Sequence, residues 1–355
     1  MKIALNILPL SGGHFLKHRV RGTGVYTKNL QESLKTYFTD NNYLFFNTIN
    51  EISKDIDVIH YPYFEPFFLT LPWRNLSKTV VTVHDLTPLV FPDFFPIGIR
   101  GYLKWIIQKN ILKKISYIIT DSENSKKDII KYTNISSNKI GVVYLAASEK
   151  FKKINLSSEK IKKIIDKYGL PNKFILYVGD VTWNKNLPRL LKASIDAGLP
   201  LVMVGNALTD EIDLSNPWNK DLSIIRNIIE DNKKSIFPLG FVSVEDLVDL
   251  YNLARVFVMP SLYEGFGLPI IEAMSCGCPV ITTRGGSIAE IVEDSAYFVD
   301  AYSVKSISDG IRKVFDSDII RENLIKKGLN QVKKFSWQKT AEDTIKAYKI
   351  VIQNK

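Results

Sequence analysis

Two carboxylates, Glu264 and Glu272, stand eight residues apart in the stretch SLYEGFGLPIIEAMSCGCPVITT. The turn between them is made of Gly265, Phe266, Gly267 and Leu268. A glycine turn that opens a helix presents backbone N–H groups to an anion. A carboxylate on an apolar helix, as Glu272 would be, costs free energy unless something binds it. The pattern therefore favours a ligand with both phosphate and hydroxyl groups, and the alternative is a salt bridge between Glu272 and a basic side chain.

The segment EGFGLPIIEAMSCGCPVI resembles the carboxyl-terminal signature of retaining glycosyltransferases of family 4, which are mannosyltransferase-like and glycogen-synthase-like enzymes. The resemblance implies an α/β protein of the GT-B fold, in which two Rossmann-like, doubly wound parallel-sheet domains face a central cleft. It also implies that Glu264 binds hydroxyls of the donor sugar and that Glu272 binds the ribose diol of the donor. The donor would be a nucleoside diphosphate sugar.

A second glycine turn, in LYVGDVTWNKNLPRLL, places Gly179 after a predicted strand and Lys185 before a helix that begins at Asn186. A lysine beside a helix N-terminus can bind a diphosphate, and a surface lysine is the alternative. The turn looks like the family's glycine-to-lysine turn, so we expect Gly179 and Lys185 in the donor site. The family often has an arginine just after the glycine or just before the lysine, where this chain has Asp180 and Asn184. Another lysine or arginine, or backbone N–H groups, would then supply the second positive charge.

In the first half of the chain, His84 follows the predicted strand Thr79–Val83 directly. Ligands of parallel sheets bind at the carboxyl ends of the strands. The segment VHDLTPLVFPDFFP is similar to the family's His-Asp segment, in which the histidine faces the anomeric carbon. We therefore expect His84 to be catalytic together with Lys185 and Glu264, and the alternative for a lone histidine is a structural role.

Gly22 and Gly24 open a predicted helix after the basic loop Gly12–Arg21. The resemblance suggests a glycine turn near the donor phosphates, and a plain helix-capping turn is the alternative. These glycines come too long after the first strand, and lack the third glycine, for a dinucleotide fingerprint, so we expect no nicotinamide cofactor. The loop contains residues that could contact an anionic acceptor, namely His14, Lys17, His18, Arg19 and Arg21.

Short apolar strands alternate with amphipathic helices along the chain, and the pattern predicts twelve strands and eleven helices. Repeated β-α-β units imply parallel sheets with right-handed crossovers. The pattern restarts at Phe174, after a lysine-rich stretch. We therefore expect an acceptor-side domain over residues 1–170 and a nucleotide-sugar-binding domain over residues 171–336. A last helix, about 337–355, would cross back to the first domain.

The excess of positive over negative charge lies in the first half of the chain. Residues 1–170 contain 25 Lys and Arg against 14 Asp and Glu, a balance of +11, whereas the remainder contains 22 against 23, a balance of −1. A basic surface can attract nucleic acid, an anionic membrane or an anionic substrate. No zinc-finger spacing or RNA-binding motif accompanies the charge, so we expect no nucleic acid partner.

The predicted helix over residues 96–115 combines Trp105 and four lysines with an apolar stripe. The stripe consists of Ile99, Tyr102, Leu103, Ile106, Ile107 and Ile111, and the lysines are Lys104, Lys109, Lys113 and Lys114. Such a helix suits contact with anionic lipid headgroups. The alternatives are a helix packed on the core with a solvated basic face, and a protein that is generally rich in lysine.

The composition, with 45% hydrophobic and 24% charged residues, is that of a globular protein. No apolar run reaches transmembrane length and the N-terminus lacks a signal-peptide pattern, so we expect a cytoplasmic protein, peripheral at the inner face of the cell membrane. Asp55-Ile56-Asp57 is like the metal-binding motif of another transferase fold, but its place before a strand predicts a turn, and we assign no metal. Cys276 and Cys278 are too close for an ordinary disulfide, and we expect both to be buried.

The family resemblance, with the residues that carry it, implies a retaining, metal-independent glycosyltransferase, a hexosyltransferase that needs no cofactor. Its partners would be a nucleoside diphosphate sugar and a glycan or lipid-linked acceptor in bacterial surface polysaccharide synthesis, with an anionic membrane surface as a further partner. The alternatives are a nucleotide-sugar epimerase of the same fold and a non-catalytic nucleotide-sugar-binding protein. An epimerase would release free sugar without an acceptor, and the binding protein would show no turnover.

Overall fold

The computed structural model describes residues 1–10, 22–209 and 220–354, which form two compact units. The first unit comprises Met1–Asp93, Ile97–Ala146 and Phe335–Lys355, and the second comprises Phe94–Pro96 and Ala147–Lys334. Each unit is built on one sheet of six parallel strands, as the repeated β-α-β pattern predicts. In the described part of the chain, no helix is both long and apolar enough to cross a membrane.

The first sheet consists of β1 (Lys2–Asn6), β2 (Asn42–Phe46), β3 (Val58–Tyr61), β4 (Thr79–Thr82), β5 (Tyr117–Thr120) and β6 (Ile140–Val142). The strand order is β2-β1-β3-β4-β5-β6. Strands β3, β4 and β5 are buried along their whole length, as expected where both faces of a parallel sheet are covered. The covering helices of this part of the chain are α1 (Gly22–Tyr37), α2 (Thr87–Val90), α3 (Gly98–Lys114) and α4 (Glu123–Thr133).

The second sheet consists of β7 (Ile175–Val178), β8 (Leu201–Val204), β9 (Ile236–Pro238), β10 (Val256–Met259), β11 (Val280–Thr282) and β12 (Tyr297–Phe298). The strand order is β12-β11-β10-β7-β8-β9. From the middle of the sheet, β7, β8 and β9 follow one another towards one edge, and β10, β11 and β12 follow one another towards the other edge. The order therefore switches between β7 and β10, which are parallel neighbours.

The helices of the second unit are α5 (Ser158–Tyr168), α6 (Leu187–Ala197), α7 (Lys220–Asp231), α8 (Val244–Leu253), α9 (Leu268–Ser275), α10 (Ile288–Val292), α11 (Val304–Asp316) and α12 (Asp318–Gln331). Pro188 in the first turn of α6 and Pro269 in the first turn of α9 stand where the missing N–H group of proline costs nothing. Ser243, Ser303 and Ser317 each cap the helix that follows by accepting a backbone N–H.

The last helix, α13 (Trp337–Gln353), groups with the first unit, where it packs against α1 and the central strands. Its buried residues recur at helical spacing and are Trp337, Thr340, Ala341, Thr344, Ile345, Ala347, Tyr348 and Val351. The end of the chain therefore completes the core of the first unit.

The change from the first to the second unit falls between Ala146 and Ala147, earlier than the boundary expected near residue 170. The intervening residues explain the difference, because Phe151, Ile164 and Leu170 are buried in the core of the second unit. Four lysines of this stretch lie on the exposed face of α5, an amphipathic helix that packs against α8; they are Lys160, Lys162, Lys163 and Lys167.

All twelve predicted strands are present. The first strand, which the sequence predicts over Lys2–Leu10, ends at Asn6 because Pro9 stands in a 3-10 turn, Leu8–Leu10, that follows β1. Proline has no N–H group to continue a sheet ladder. Two helices, α2 and α7, were not predicted.

Candidate functional site

The loops at the switch point of the second sheet bring predicted donor-site residues together. Gly179 directly follows β7, and Ser261–Glu264 follows β10. Ligands of doubly wound sheets bind at the carboxyl ends of strands at such a point. Lys185 and Glu264, which are 79 residues apart in the sequence, are in contact here.

Gly179 makes a close turn after β7. Its N–H donates to the carbonyl of Val204 at 3.0 Å. A Cβ at this position would lie 2.6 Å from the hydroxyl oxygen of Tyr177, which itself donates to the carbonyl of Asp180 at 2.7 Å. Only glycine therefore fits without a shift of Tyr177, so Gly179 shapes the turn that leads to Lys185.

Asn184, which stands where the family often has an arginine, has a structural role. It is buried, and its Nδ2 donates to the carbonyl of Tyr263 at 2.9 Å. Its own carbonyl accepts from the backbone N–H of Leu262 at 2.7 Å. These bonds join the loop after β7 to the loop after β10, so Asn184 positions the site and supplies no charge.

Asn186 makes a second connection between the same loops. Its backbone is left-handed, with φ 60°, a conformation that asparagine tolerates better than most residues. Its Nδ2 donates to the carbonyls of Pro260 at 2.9 Å and Ala301 at 2.7 Å. Asn184 and Asn186 thus hold Lys185, the residue between them, from both sides.

Lys185 and Glu264 form a buried bidentate ion pair. The Nζ atom lies 2.8 Å from each carboxylate oxygen, and the side chains are only 17% and 8% exposed. The alternative of a surface lysine is therefore wrong for Lys185. An ammonium has three N–H donors and a carboxylate about four acceptor positions, so both groups can bind further partners.

The backbone of Glu264 is fixed by the turn after β11. Its carbonyl accepts from the N–H of Ser287 at 3.0 Å and from the Ser287 hydroxyl at 3.1 Å. Gly286 has a left-handed φ of 65°, and a Cβ there would lie 2.8 Å from the Glu264 nitrogen. Glycine is required for this close approach, which holds the Glu264 carboxylate in place.

The predicted glycine turn opens α9. Gly267, with φ 92°, precedes the first helical residue, Leu268, which is partly exposed, whereas Gly265 and Phe266 are buried. The first N–H groups of a helix have no acceptor within it and carry a partial positive charge. The start of α9 is therefore suited to an anionic group.

Glu272 projects from the middle of α9 and remains partly exposed. In the described part of the chain its hydrogen-bond partner is the hydroxyl of the buried Tyr251, at 3.2 Å, and no lysine or arginine pairs with it. The salt-bridge alternative is therefore wrong. Burial raises the pKa of Glu272 to about 8, although the Tyr251 hydrogen bond opposes the rise. Additional hydroxyl donors would therefore stabilise the charged form of this carboxylate.

In the first unit, His84 and Asp121 lie just beyond the neighbouring strands β4 and β5. Nδ1 of His84 lies 2.6 Å from Oδ2 of Asp121, and Nε2 lies 3.2 Å from the carbonyl oxygen of Pro62. The ring of Tyr26 meets the imidazole edge-on at 4.8 Å. The sequence placed Asp121 at the end of the next strand, but sequence reasoning did not predict its contact with His84.

Both ring nitrogens of His84 face acceptor oxygens, so the doubly protonated ring satisfies both contacts. Burial disfavours the charged ring, but the Asp121 carboxylate and the Pro62 carbonyl outweigh it and raise the pKa of His84. The other carboxylate oxygen of Asp121 is buried without a hydrogen-bond partner among the described residues. A charged, doubly donating imidazole suits charge stabilisation better than proton abstraction.

A chain of buried hydrogen bonds connects α13 to this histidine. The Tyr348 hydroxyl lies 2.7 Å from Nδ1 of His60, whose Nε2 lies 2.8 Å from Oγ1 of Thr82. The Thr82 hydroxyl lies 3.0 Å from the hydroxyl of Tyr26, whose ring contacts His84. Burial lowers the pKa of His60 to about 3, so this second histidine stays neutral.

Gly22 is the first residue of α1 and is exposed, whereas Gly24 is buried. A Cβ on Gly22 would meet no described atom within 4 Å, so packing alone does not require glycine there. The predicted acceptor contacts fall outside the described residues; they are His14, Lys17, His18, Arg19 and Arg21.

The Asp55-Ile56-Asp57 motif binds a lysine. The Asp55 carboxylate pairs with the Lys2 ammonium, and the Asp57 carboxylate accepts from the Lys2 backbone N–H at 2.8 Å. Among the described residues, no group of three or more His, Cys, Asp or Glu side chains could hold a metal ion. Cys276 and Cys278 are buried and unlinked, as expected.

Profiles of two glycosyltransferase families match most of the chain. The profile described as Glycosyltransferase Family 4 matches residues 14–148, which include His84. The profile described as Glycosyl transferases group 1 matches residues 157–331, which include Lys185, Glu264 and Glu272. The matched segments correspond to the first and second sheets respectively.

The chain is similar to the O-antigen chain mannosyltransferase B of Escherichia coli, with 34% identity over 83% of this chain and 76% of that protein. It is 29% identical to the serotype-specific mannosyltransferase WbdA of E. coli over 82% of this chain, and it spans 36% of that longer protein. The structure of Anabaena HepE in complex with UDP and glucose has the same fold, with a TM-score of 0.71 over 98% of both chains and 17% identity. The chain therefore belongs to the family 4 glycosyltransferases, which have the GT-B fold.

Proposed function

We propose that this protein is a retaining, metal-independent glycosyltransferase that moves a sugar from a nucleoside diphosphate sugar to a hydroxyl of a glycan or lipid-linked acceptor. The observation that carries the proposal is the buried bidentate pair of Lys185 and Glu264 at the switch point of the second sheet. Glu272, with its raised pKa, follows on α9.

Departure of the nucleoside diphosphate leaves negative charge on phosphate oxygens. Lys185 and the N–H groups around Gly267 and Leu268 would stabilise that charge. Because Asn184 and Asn186 fix the lysine turn, the positive charge needs little reorganisation during the reaction. Catalysis would consist mainly of positioning and of leaving-group stabilisation.

The two glutamates would hold different parts of the donor. Glu264 would share its carboxylate between Lys185 and the hydroxyls of the donor sugar. Glu272 would accept hydrogen bonds from the ribose diol, and such bonds favour the charged form of a carboxylate whose pKa burial has raised. Gly179, Gly265 and Phe266 would shape the loops around the donor.

His84 would act on the sugar being transferred, as the family resemblance suggests. Its pairing with Asp121 supports a charged ring that stabilises negative charge or donates a hydrogen bond. Gly22 and Gly24 stay assigned to the donor phosphates on the resemblance alone.

The E. coli relatives named above are mannosyltransferases, and one of them is an O-antigen chain mannosyltransferase. We therefore take a nucleoside diphosphate mannose as the first donor to test and a surface polysaccharide as the product. An acceptor carried on a lipid would place the protein at the inner face of the cell membrane.

The proposal is tested by incubating the protein with GDP-mannose, UDP-glucose and other nucleotide sugars, with and without mannose-terminated acceptors. We expect nucleoside diphosphate release that requires an acceptor, and a product with the anomeric configuration of the donor by NMR. EDTA should leave the rate unchanged. Release of free sugar without an acceptor would favour the epimerase, and binding without turnover would favour the binding protein. Loss of activity in EDTA, restored by magnesium, would contradict metal independence.

A further inference from the structure

The N-terminal half of α3 turns an apolar face towards solvent. Ile99 is 81% exposed, Tyr102 56%, Leu103 54% and Ile106 39%, and their spacing places them on one side of the helix. The core side instead carries Trp105, Gln108, Ile111 and Leu112. Trp105 is therefore buried, and the Lys109 ammonium lies 5.8 Å from the centre of its ring. The predicted apolar stripe is divided between the two sides, because Ile111 is buried and Ile107 is half-buried, whereas the other four members face solvent.

A neighbouring loop extends this face. Phe68, Leu69 and Trp73 are exposed apolar residues of the loop. Gln108 of α3 holds the loop in place, because its Nε2 donates to the Phe68 carbonyl and its Oε1 accepts from the Leu71 N–H at 3.3 Å. The Lys104 ammonium lies 5.5 Å from the centre of the Phe68 ring. The loop is therefore in contact with α3 at Phe68 and Leu71. The exposed apolar residues of loop and helix are together named the apolar surface, and they are Phe68, Leu69, Trp73, Ile99, Tyr102, Leu103 and Ile106.

The two segments that build the apolar surface contain basic residues and no acidic ones. Between Asp93 and Asp121 the charged residues are Arg100, Lys104, Lys109, Lys113 and Lys114. Between Glu65 and Asp85 they are Arg74 and Lys78. A second copy of the chain would bring like charges together on this face, whereas an anionic lipid surface offers both an apolar boundary and opposite charge.

We propose that the apolar surface docks the first unit on an anionic lipid bilayer. Its apolar side chains enter the boundary between headgroups and acyl chains, and the lysines and arginines beside them extend to the lipid phosphates. Docking is independent of the proposed transfer reaction, because it is measured without donor or acceptor. Failure of one proposal is therefore distinguishable from failure of the other.

Co-sedimentation with vesicles of phosphatidylcholine, with and without phosphatidylglycerol, tests the apolar part of the surface. The wild type should bind the anionic vesicles. Ile99→Ser should lower the partition coefficient about tenfold, because a large apolar side chain no longer leaves water. Ile319→Ser is the matched control, since Ile319 is also 81% exposed and is also the second residue of its helix, α12 of the second unit. It should bind as the wild type does.

The charged part is tested with Arg100→Gln combined with Lys104→Gln. Each lost charge should weaken binding about fivefold at low salt, and added salt should reduce the difference from the wild type. Lys192→Gln combined with Lys326→Gln, both exposed in the second unit, is the control and should change nothing. Brominated lipid should quench the fluorescence of Trp73, and this quenching should be absent from the Trp73→Phe variant.

Three results would overturn the proposal. The first is absence of binding to anionic vesicles at low salt. The second is equal binding by the Ile99 variant and the wild type. The third is a wild-type dimer in light scattering that Ile99→Ser dissociates, because a second copy would then occupy the surface.

Discussion

At the scale of single residues, the surroundings of Glu272 link nucleotide binding to protonation. Its pKa is raised to about 8, so at neutral pH the carboxyl group is largely protonated. Hydrogen bonds from a ribose diol favour the charged form, so binding of a nucleoside diphosphate should release a proton. Titration calorimetry at pH 7 in buffers of different ionisation enthalpy measures this release.

Glu272→Gln should abolish the proton release and weaken nucleotide binding, since each charge-assisted hydrogen bond contributes roughly 1.5–3 kcal/mol. Glu322→Gln, on the exposed side of α12, is the control and should behave as the wild type. An unchanged nucleotide affinity in Glu272→Gln would contradict the proposal that Glu272 binds the ribose diol.

The same glutamate affects stability. Its pKa is about 8 in the folded protein and near 4.5 when solvated, so between these values the folded state binds more protons than the unfolded state. The free energy of unfolding should therefore fall as pH rises from 4.5 to 8. Urea unfolding of wild type and Glu272→Gln at both ends of the window checks this. The variant should lose less stability, and parallel losses would contradict the assignment.

Asp121 should control the charge of His84. Asp121→Asn removes the carboxylate that holds the imidazole charged, so the pKa of His84 should fall and transfer should slow as pH rises. NMR titration of the histidine signals measures the pKa independently of activity. Asp93→Asn, an exposed aspartate of the first unit, serves as the control. An unchanged His84 titration would exclude the proposed role of Asp121.

At the scale of elements, the turn between β7 and α6 depends on Asn186. Asn186→Ala leaves the carbonyls of Pro260 and Ala301 without their side-chain donor. Each lost bond should lower the free energy of unfolding by about 1–3 kcal/mol. The substitution also puts alanine in a left-handed conformation, at roughly 1–2 kcal/mol. Asn134→Ala isolates the second effect, because Asn134 is exposed and has nearly the same backbone, φ 59° and ψ 31°. If Asn186→Ala and Asn134→Ala lose the same free energy of unfolding in urea, the side-chain bonds of Asn186 contribute nothing to stability.

Periodicity predicted the strands because each is a short run rich in apolar residues and bounded by turn residues. Helix α7 was missed although Leu222, Ile225 and Ile229 are buried at helical spacing, because the polar residues around them dominate the segment. Which side of α3 meets the core was not predictable, since this helix has apolar residues on both sides and periodicity does not distinguish them. The predicted stripe nevertheless contains the exposed residues Ile99, Tyr102, Leu103 and Ile106.

The residues of the candidate site that belong to a local sequence motif were predictable, whereas the contacts between residues distant in sequence were not. Lys185, Glu264 and Glu272 follow from local spacing. The contacts of Asp121 with His84 and of Tyr251 with Glu272 join residues 37 and 21 positions apart. Such contacts depend on which strands and helices become neighbours, and that information is not local.

In the whole molecule, each unit is built on one parallel sheet, and the two units have different proposed roles. The second unit contains the Lys185–Glu264 pair and the Glu272 carboxylate. The first unit contains His84, the apolar surface of α3 and most of the residues that give the first half its balance of +11. Donor binding and lipid docking are therefore separable by mutation.

In the proposed reaction, Lys185 stabilises the departing nucleoside diphosphate. The most direct test of this role is the rate of acceptor-dependent nucleoside diphosphate release by wild type, Lys185→Gln and Lys192→Gln. Glutamine retains an N–H donor but loses the charge, and Lys192 is an exposed lysine of the neighbouring α6. We predict a loss of about 10²–10³ in turnover for Lys185→Gln, with no rescue by magnesium, and the wild-type rate for Lys192→Gln. A folded Lys185→Gln protein with the wild-type rate would contradict this role.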